Sequence, residues 1–173
     1  IERRFASLDA LLGDDEIDVV YIASPHSEHH SQALAAIAAG KHLLVEKAFT
    51  RNAREAIEVV QAARAAGLTV LEAMWARFLP QADVLRQLLA DGALGEVTTL
   101  FADHGQYFDD DPQFRLFNPD LAGGALLDLG IYPVSFASFV AGTPQQVITM
   151  GDKAFTGVDG QVSLLLRGQD GRT

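Results

Sequence analysis

Three short stretches of this 173-residue chain carry side chains able to move a proton or hold a ligand. LLVEKAFT, residues 43 to 50, runs three apolar residues straight into Glu46 and Lys47. DLGIY, residues 128 to 132, sets Asp128 and Tyr132 four apart, so that on a helix both project from one face. HSEHH, residues 26 to 30, offers His26, His29 and His30. An amine, a phenol and a carboxylate can between them hydrogen-bond a hydroxyl or carbonyl and exchange its proton. Each also has a plainer reading. Lys47 can be a solvated strand end, Asp128 can bond nearby backbone, and Tyr132 can be a core ring with its hydroxyl at the surface. No metal site is expected of the histidines, because the chain has no cysteine and Glu28 alone does not complete a ligand set. His104 beside Asp103 reads as a surface histidine, and Asp109 to Asp111 as a solvated loop.

The elements that must position these groups alternate through the first half. SLDALL, with Ser7 as N-cap, predicts a short helix, and IDVVYIA a strand buried on both faces. Ser27 caps a helix that Gly40 ends in a left-handed turn, HLLVEK is the second strand, and Thr50 or Asn52 caps a helix closed by Gly67. LTVLEAM is the third strand. This βαβαβ order implies a parallel sheet with right-handed crossovers. In such a sheet ligands bind beyond the carboxyl ends of the strands. Those ends carry Ser24, Pro25 and His26, then Glu46 and Lys47, then Glu72, Trp75 and Arg77. Charged and aromatic groups at all three ends are what a crevice needs, which favours a ligand role for Lys47.

The second half changes character. A helix starts near Pro80 and ends at Gly92 or Gly95, and VTTLFADHGQY alternates as a half-exposed strand. Residues 105 to 122 form a long loop, and GGALLDLGIYPVSFASFV reads as a helix. QQVITMG and QVSLLLR are two further strands. A boundary falls near residues 73 to 80, dividing the chain into 1–75 and 76–173.

Composition bounds the partners. The net charge of −10 argues against nucleic acid or an anionic membrane surface. No apolar run is expected to reach the roughly 18 to 20 residues that span a bilayer, and no charged-then-apolar leader opens the chain. The absence of cysteine accords with a reducing cytoplasm. A start at Ile1 without methionine, and a stop just after VSLLL, predict a piece of a longer chain.

VVYIASPHSEHHSQALAAIAAGKHLLVEKAFT resembles the second half of the nucleotide domain of the Gfo/Idh/MocA oxidoreductases. EAMWARFLP and GGALLDLGIYP are similar to the branch of dihydrodiol and sugar dehydrogenases within it. The resemblance runs from about Phe5 to the end. It implies an α/β chain: the C-terminal half of a Rossmann-type parallel sheet over 1–75, then part of an α+β substrate and dimerisation domain with a mostly antiparallel sheet. It also implies NAD or NADP as cofactor, a sugar, polyol or cyclic diol as substrate, and a homodimer or higher homo-oligomer through the C-terminal sheet.

Residue by residue, Lys47 matches the lysine of the family's Glu-Lys-Pro motif and Glu46 its glutamate. Tyr132 matches the proton donor and acceptor, and Asp128 the aspartate of the substrate helix. Trp75 and Arg77 match pocket-lining residues, while Ser24, Pro25, His26 and His29 match the turn beside the cofactor. An unperturbed tyrosine titrates near about 10, and an ammonium beside a phenol favours the phenolate, a role Lys47 would fill. Two departures matter. Ala48 replaces the motif's proline and its fixed torsion, and no glycine-rich GxGxxG turn for the pyrophosphate is present, so the choice between NAD and NADP is open. A non-catalytic nucleotide- or sugar-binding sensor of the same fold is the alternative.

Overall fold

The structure, a computed structural model, describes residues 3–168. It divides into two compact units, Ile1–Ala73 and Met74–Thr173.

In the first unit β1 (Val19–Ile22), β2 (His42–Val45) and β3 (Val70–Glu72) pair in parallel in the order β1-β2-β3. Helix α1 (Leu8–Leu12) begins at Ser7, whose hydroxyl accepts from the Ala10 amide. The crossovers are α2 (His26–Ala38) and α3 (Ala53–Ala66). Asn52, rather than Thr50, caps α3 by accepting from the Glu55 amide, and Gly67 closes it at φ +67°. Ser27 does not cap α2. That helix already starts at His26 behind Pro25, and the Ser27 hydroxyl turns to Glu28 instead.

Val20, Ile22, Leu43 and Val45 pack against Ala33, Ala36 and Ile37 of α2 and Val59 and Ala63 of α3. Because these strand residues alternate, both helices cover one face of the sheet. Val19 and Tyr21 on the other face are more than half exposed, so β1 is not buried on both faces. Among the described residues no helix lies over them, and a run of β-branched residues does not distinguish a face that is covered from one that is not.

The second unit opens with a 3-10 turn, Trp75–Phe78, then α4 (Pro80–Ala90) with Pro80 in its first turn. Residues 97–107 do not form the expected strand. A strand needs a hydrogen-bonded neighbour, and among the described residues none pairs with this segment, of which residues 97–106 instead line a cavity of about 730 Å³ with Val162, Leu164 and Leu166. A π-helical turn, Leu126–Gly130, leads into α5 (Ile131–Ala141), and β4 (Gln146–Lys153) and β5 (Asp159–Arg167) form an antiparallel hairpin. The chain is thus an α/β protein with a parallel sheet and a separate antiparallel one.

Pro119–Ala141 corrects the expectation about apolar runs. By length and composition alone this 23-residue segment, whose most apolar 18-residue window has a mean hydropathy of 1.5, is apolar enough to cross a bilayer. The sequence hides this because Asp120, Asp128, Pro119 and Pro133 punctuate the run. Positive φ at Ala122 and Gly124 breaks its backbone, and Asp128 within it is buried against an arginine.

Candidate active site

Beyond the end of β2, four side chains hold the backbone around Lys47. Its amide donates to Glu46 Oε2 (3.2 Å), and His26 Nε2 lies 3.3 Å from its carbonyl oxygen. His29 Nδ1 is 2.9 Å from the Ala48 carbonyl oxygen, and the Phe49 amide donates to Glu72 Oε1 at 2.9 Å. Glu46 is itself held by the Tyr21 hydroxyl, a hydrogen bond that raises the Tyr21 pKa above its ordinary value. The Lys47–Ala48 peptide is cis.

His29 does more than touch this loop. It is 0% exposed, and its Nε2 is 2.9 Å from the Ser24 carbonyl oxygen, so one imidazole ties the β1–α2 turn to the segment after β2. The His26 ring meets it edge-on at 5.6 Å. The Ser24 hydroxyl bonds Gln32 (2.9 Å), and Pro25 is the N-cap residue of α2. In place of a proline's fixed torsion, the chain on both sides of Ala48 is held by side-chain hydrogen bonds. Lys47 is therefore presented from a backbone that is anchored at every residue from 47 to 49. His30 stands apart from this cluster, 2.8 Å from Glu58.

In the second unit the indole N–H of Trp75 donates to the Tyr132 hydroxyl at 3.0 Å, with ring centroids 5.9 Å apart. His104 stacks on the same phenol, 5.3 Å away and tilted by 33°. The Arg77 Nε donates to Ser135 Oγ (3.0 Å), one turn along α5 from Tyr132. Tyr132 also borders a cavity of about 170 Å³ whose lining includes Met74, Leu85, Phe136 and Phe139.

Asp128 finds a different partner from Tyr132. It lies in the π-helical turn, only 4% exposed, and accepts from Arg115 Nη1 at 2.9 Å. The π-helical turn that carries Asp128 runs directly into α5, which carries Tyr132. His104 was weighed in the sequence and read as a surface histidine, whereas Arg115 and Ser135 were not singled out; Arg115 carried a signal as the one cation in an otherwise acidic loop.

Both units match family models, in order. Residues 1–74 match the oxidoreductase family with an NAD-binding Rossmann fold, and residues 83–173 the GFO/IDH/MocA C-terminal domain. The chain belongs to the GFO/IDH/MocA family. It is 40% identical over 169 residues, 96% of its length, to the trans-1,2-dihydrobenzene-1,2-diol dehydrogenase of Macaca fuscata fuscata, of which it covers 50%. It is 36% identical to the D-xylose 1-dehydrogenase (NADP(+)) of Hypocrea jecorina, with 94% of this chain and 46% of that one aligned. Among solved structures, the aldose-aldose oxidoreductase from Caulobacter crescentus complexed with glycerol superposes with a TM-score of 0.88 at 29% identity, over 95% of this chain and 51% of that one. The chain spans about half the length of the curated relatives it matches.

Within a GFO/IDH/MocA chain the donor set fits a nicotinamide nucleotide. The carboxyl ends of three parallel strands converge on one edge of the sheet, and α2 opens there with no side chain capping its first amides. Among the described residues no group of three or more His, Cys, Asp or Glu could hold a metal ion.

Proposed function

We propose that this protein is an NAD(P)-dependent oxidoreductase acting on a secondary hydroxyl or carbonyl of a sugar, polyol or cyclic diol. The observation that carries the reading is the anchored loop at Lys47: two carboxylates and two imidazoles fix the backbone of a lysine at the carboxyl end of a parallel strand. A solvated strand end has no need of such a frame. Relatives named for a diol, a pentose and an aldose support the substrate class, and the family's NAD-binding Rossmann fold supports the cofactor.

When bound, the nicotinamide supplies or receives the hydride. The chain's own residues handle the proton and the orientation. Tyr132 exchanges a proton with the substrate oxygen at Oη, and the Trp75 N–H on that oxygen supports negative charge developing there. Lys47 donates to a substrate oxygen, and Asp128 holds a second substrate hydroxyl. Ser24, Pro25, His26, Glu46 and Arg77 shape the cofactor side of the site, and His29 contributes from the interior. We also place the protein in the cytoplasm and assign it a homo-oligomeric state. The exposed Val147, Ile148, Met150 and Leu165 of the β4–β5 hairpin support self-association through that sheet.

The test uses protein expressed from the complete gene, with reduction of NAD and NADP followed against sugars, polyols and cyclic diols. Turnover with one substrate class, abolished in Lys47→Met and Tyr132→Phe while cofactor still binds, is the expected result. Cofactor binding with no turnover on any substrate would move the sensor alternative ahead.

A further inference from the structure

The carboxylate assigned by resemblance to the substrate is the less accessible half of an ion pair. The Asp128 side chain is 5% exposed and the Arg115 side chain 51%. A guanidinium has five donors in a planar fork, and the described bond to Asp128 uses one of them. The backbone that carries it is also fixed. Leu116, next to it, is buried, and its carbonyl accepts from the Gly124 amide at 2.9 Å. A Cβ on Gly123 would lie 2.7 Å from the Arg115 carbonyl oxygen and 2.5 Å from that of Leu116, so this stretch rests directly on the diglycine. Downstream, Asp159 of β5 accepts from the Leu126 amide and fixes the start of the π-helical turn. The arginine is therefore held at both ends, by its backbone and by Asp128, four residues before Tyr132.

We propose that Arg115 is the side chain through which this site reads its substrate, taking a pair of adjacent oxygens with its exposed donors while Asp128 holds the guanidinium in place. The proposal rests on the oxidoreductase reading given above. It inverts the roles suggested by motif alone: Arg115 touches the substrate and Asp128 is the positioning residue. A planar fork matches paired oxygens, so vicinal hydroxyls gain over a single one.

Calorimetric binding of trans-cyclohexane-1,2-diol and of cyclohexanol to the full-length protein with its cofactor tests this. Arg115→Met is expected to weaken the diol about 10-fold or more and to leave cyclohexanol within about twofold, a selectivity that a misfolded site would not produce. Arg115→Lys, which keeps charge but not the fork, should fall between, and serves if the methionine variant fails to fold. Asp128→Asn should lose the same diol preference, and the double variant should lose no more than Asp128→Asn alone. Equal weakening of both ligands, or no weakening of either, overturns the proposal. Diol-selective weakening in a protein that turns over no substrate supports the role of Arg115 and defeats the oxidoreductase reading instead.

Discussion

Trp75 and Tyr132 lie 57 positions apart in the sequence, yet the indole N–H donates to the phenol oxygen at 3.0 Å. A donor held on that oxygen fixes its direction and assists when the phenol gives up its proton. Trp75→Phe keeps an aromatic ring but removes the donor together with part of the ring area. It is expected to lower kcat/KM roughly 2- to 10-fold, far less than Tyr132→Phe, as measured by steady-state kinetics. Equal losses in the two variants would mean that the indole acts by packing.

His29 faces two main-chain carbonyls from a fully buried position. Replacing it with leucine removes the ring that bridges the two carbonyls and leaves a buried acceptor without its donor. His29→Leu should cost about 2–4 kcal/mol of stability, read from urea unfolding of the full-length protein. A cost below about 0.5 kcal/mol would show that water replaces the ring.

Gly123 has no room for a side chain. A Cβ there would sit 2.5 Å from the Leu116 oxygen, which is backbone and cannot swing aside. Gly123→Ala should destabilise by about 1–3 kcal/mol and lower the midpoint of thermal unfolding. A Gly105→Ala control meets nothing within 4 Å and should be near neutral.

Acid stability should report on Glu55. Its carboxyl is buried, and a hydrogen bond from Arg51 at 2.5 Å holds its pKa below the ordinary carboxylate value. The folded chain therefore takes up this proton less readily than the unfolded chain. The contribution is complete above the unfolded value, about 4.3, and is lost as pH falls through the lower folded one. Glu55→Gln should flatten the stability–pH curve below about pH 4.5 and leave its slope unchanged above pH 6. An unchanged acid limb, followed by circular dichroism in urea, would count against the ion pair.

Much of the fold was legible because its causes are local. Ser7, Asn52 and Gly67 cap or close their helices where the sequence put them, and short apolar runs between these signals became the parallel strands. Ser27 failed because Pro25 had already fixed the turn into α2. The strand expected over 97–107 failed because alternation describes a segment's own faces and says nothing of a neighbour to pair with.

The site divides the same way. Sequence offered Lys47, Asp128 and Tyr132 as candidates, since the chemistry of an amine, a carboxylate and a phenol is intrinsic to the residue type, and strand order puts Lys47 at the carboxyl edge of the sheet. Tertiary structure alone decided what each group is bonded to. Glu72 reaching Phe49, Trp75 reaching Tyr132 and Arg115 reaching Asp128 span 23, 57 and 13 positions. None of the three follows a helical or strand period, so these partners exist only once distant segments have been folded against one another.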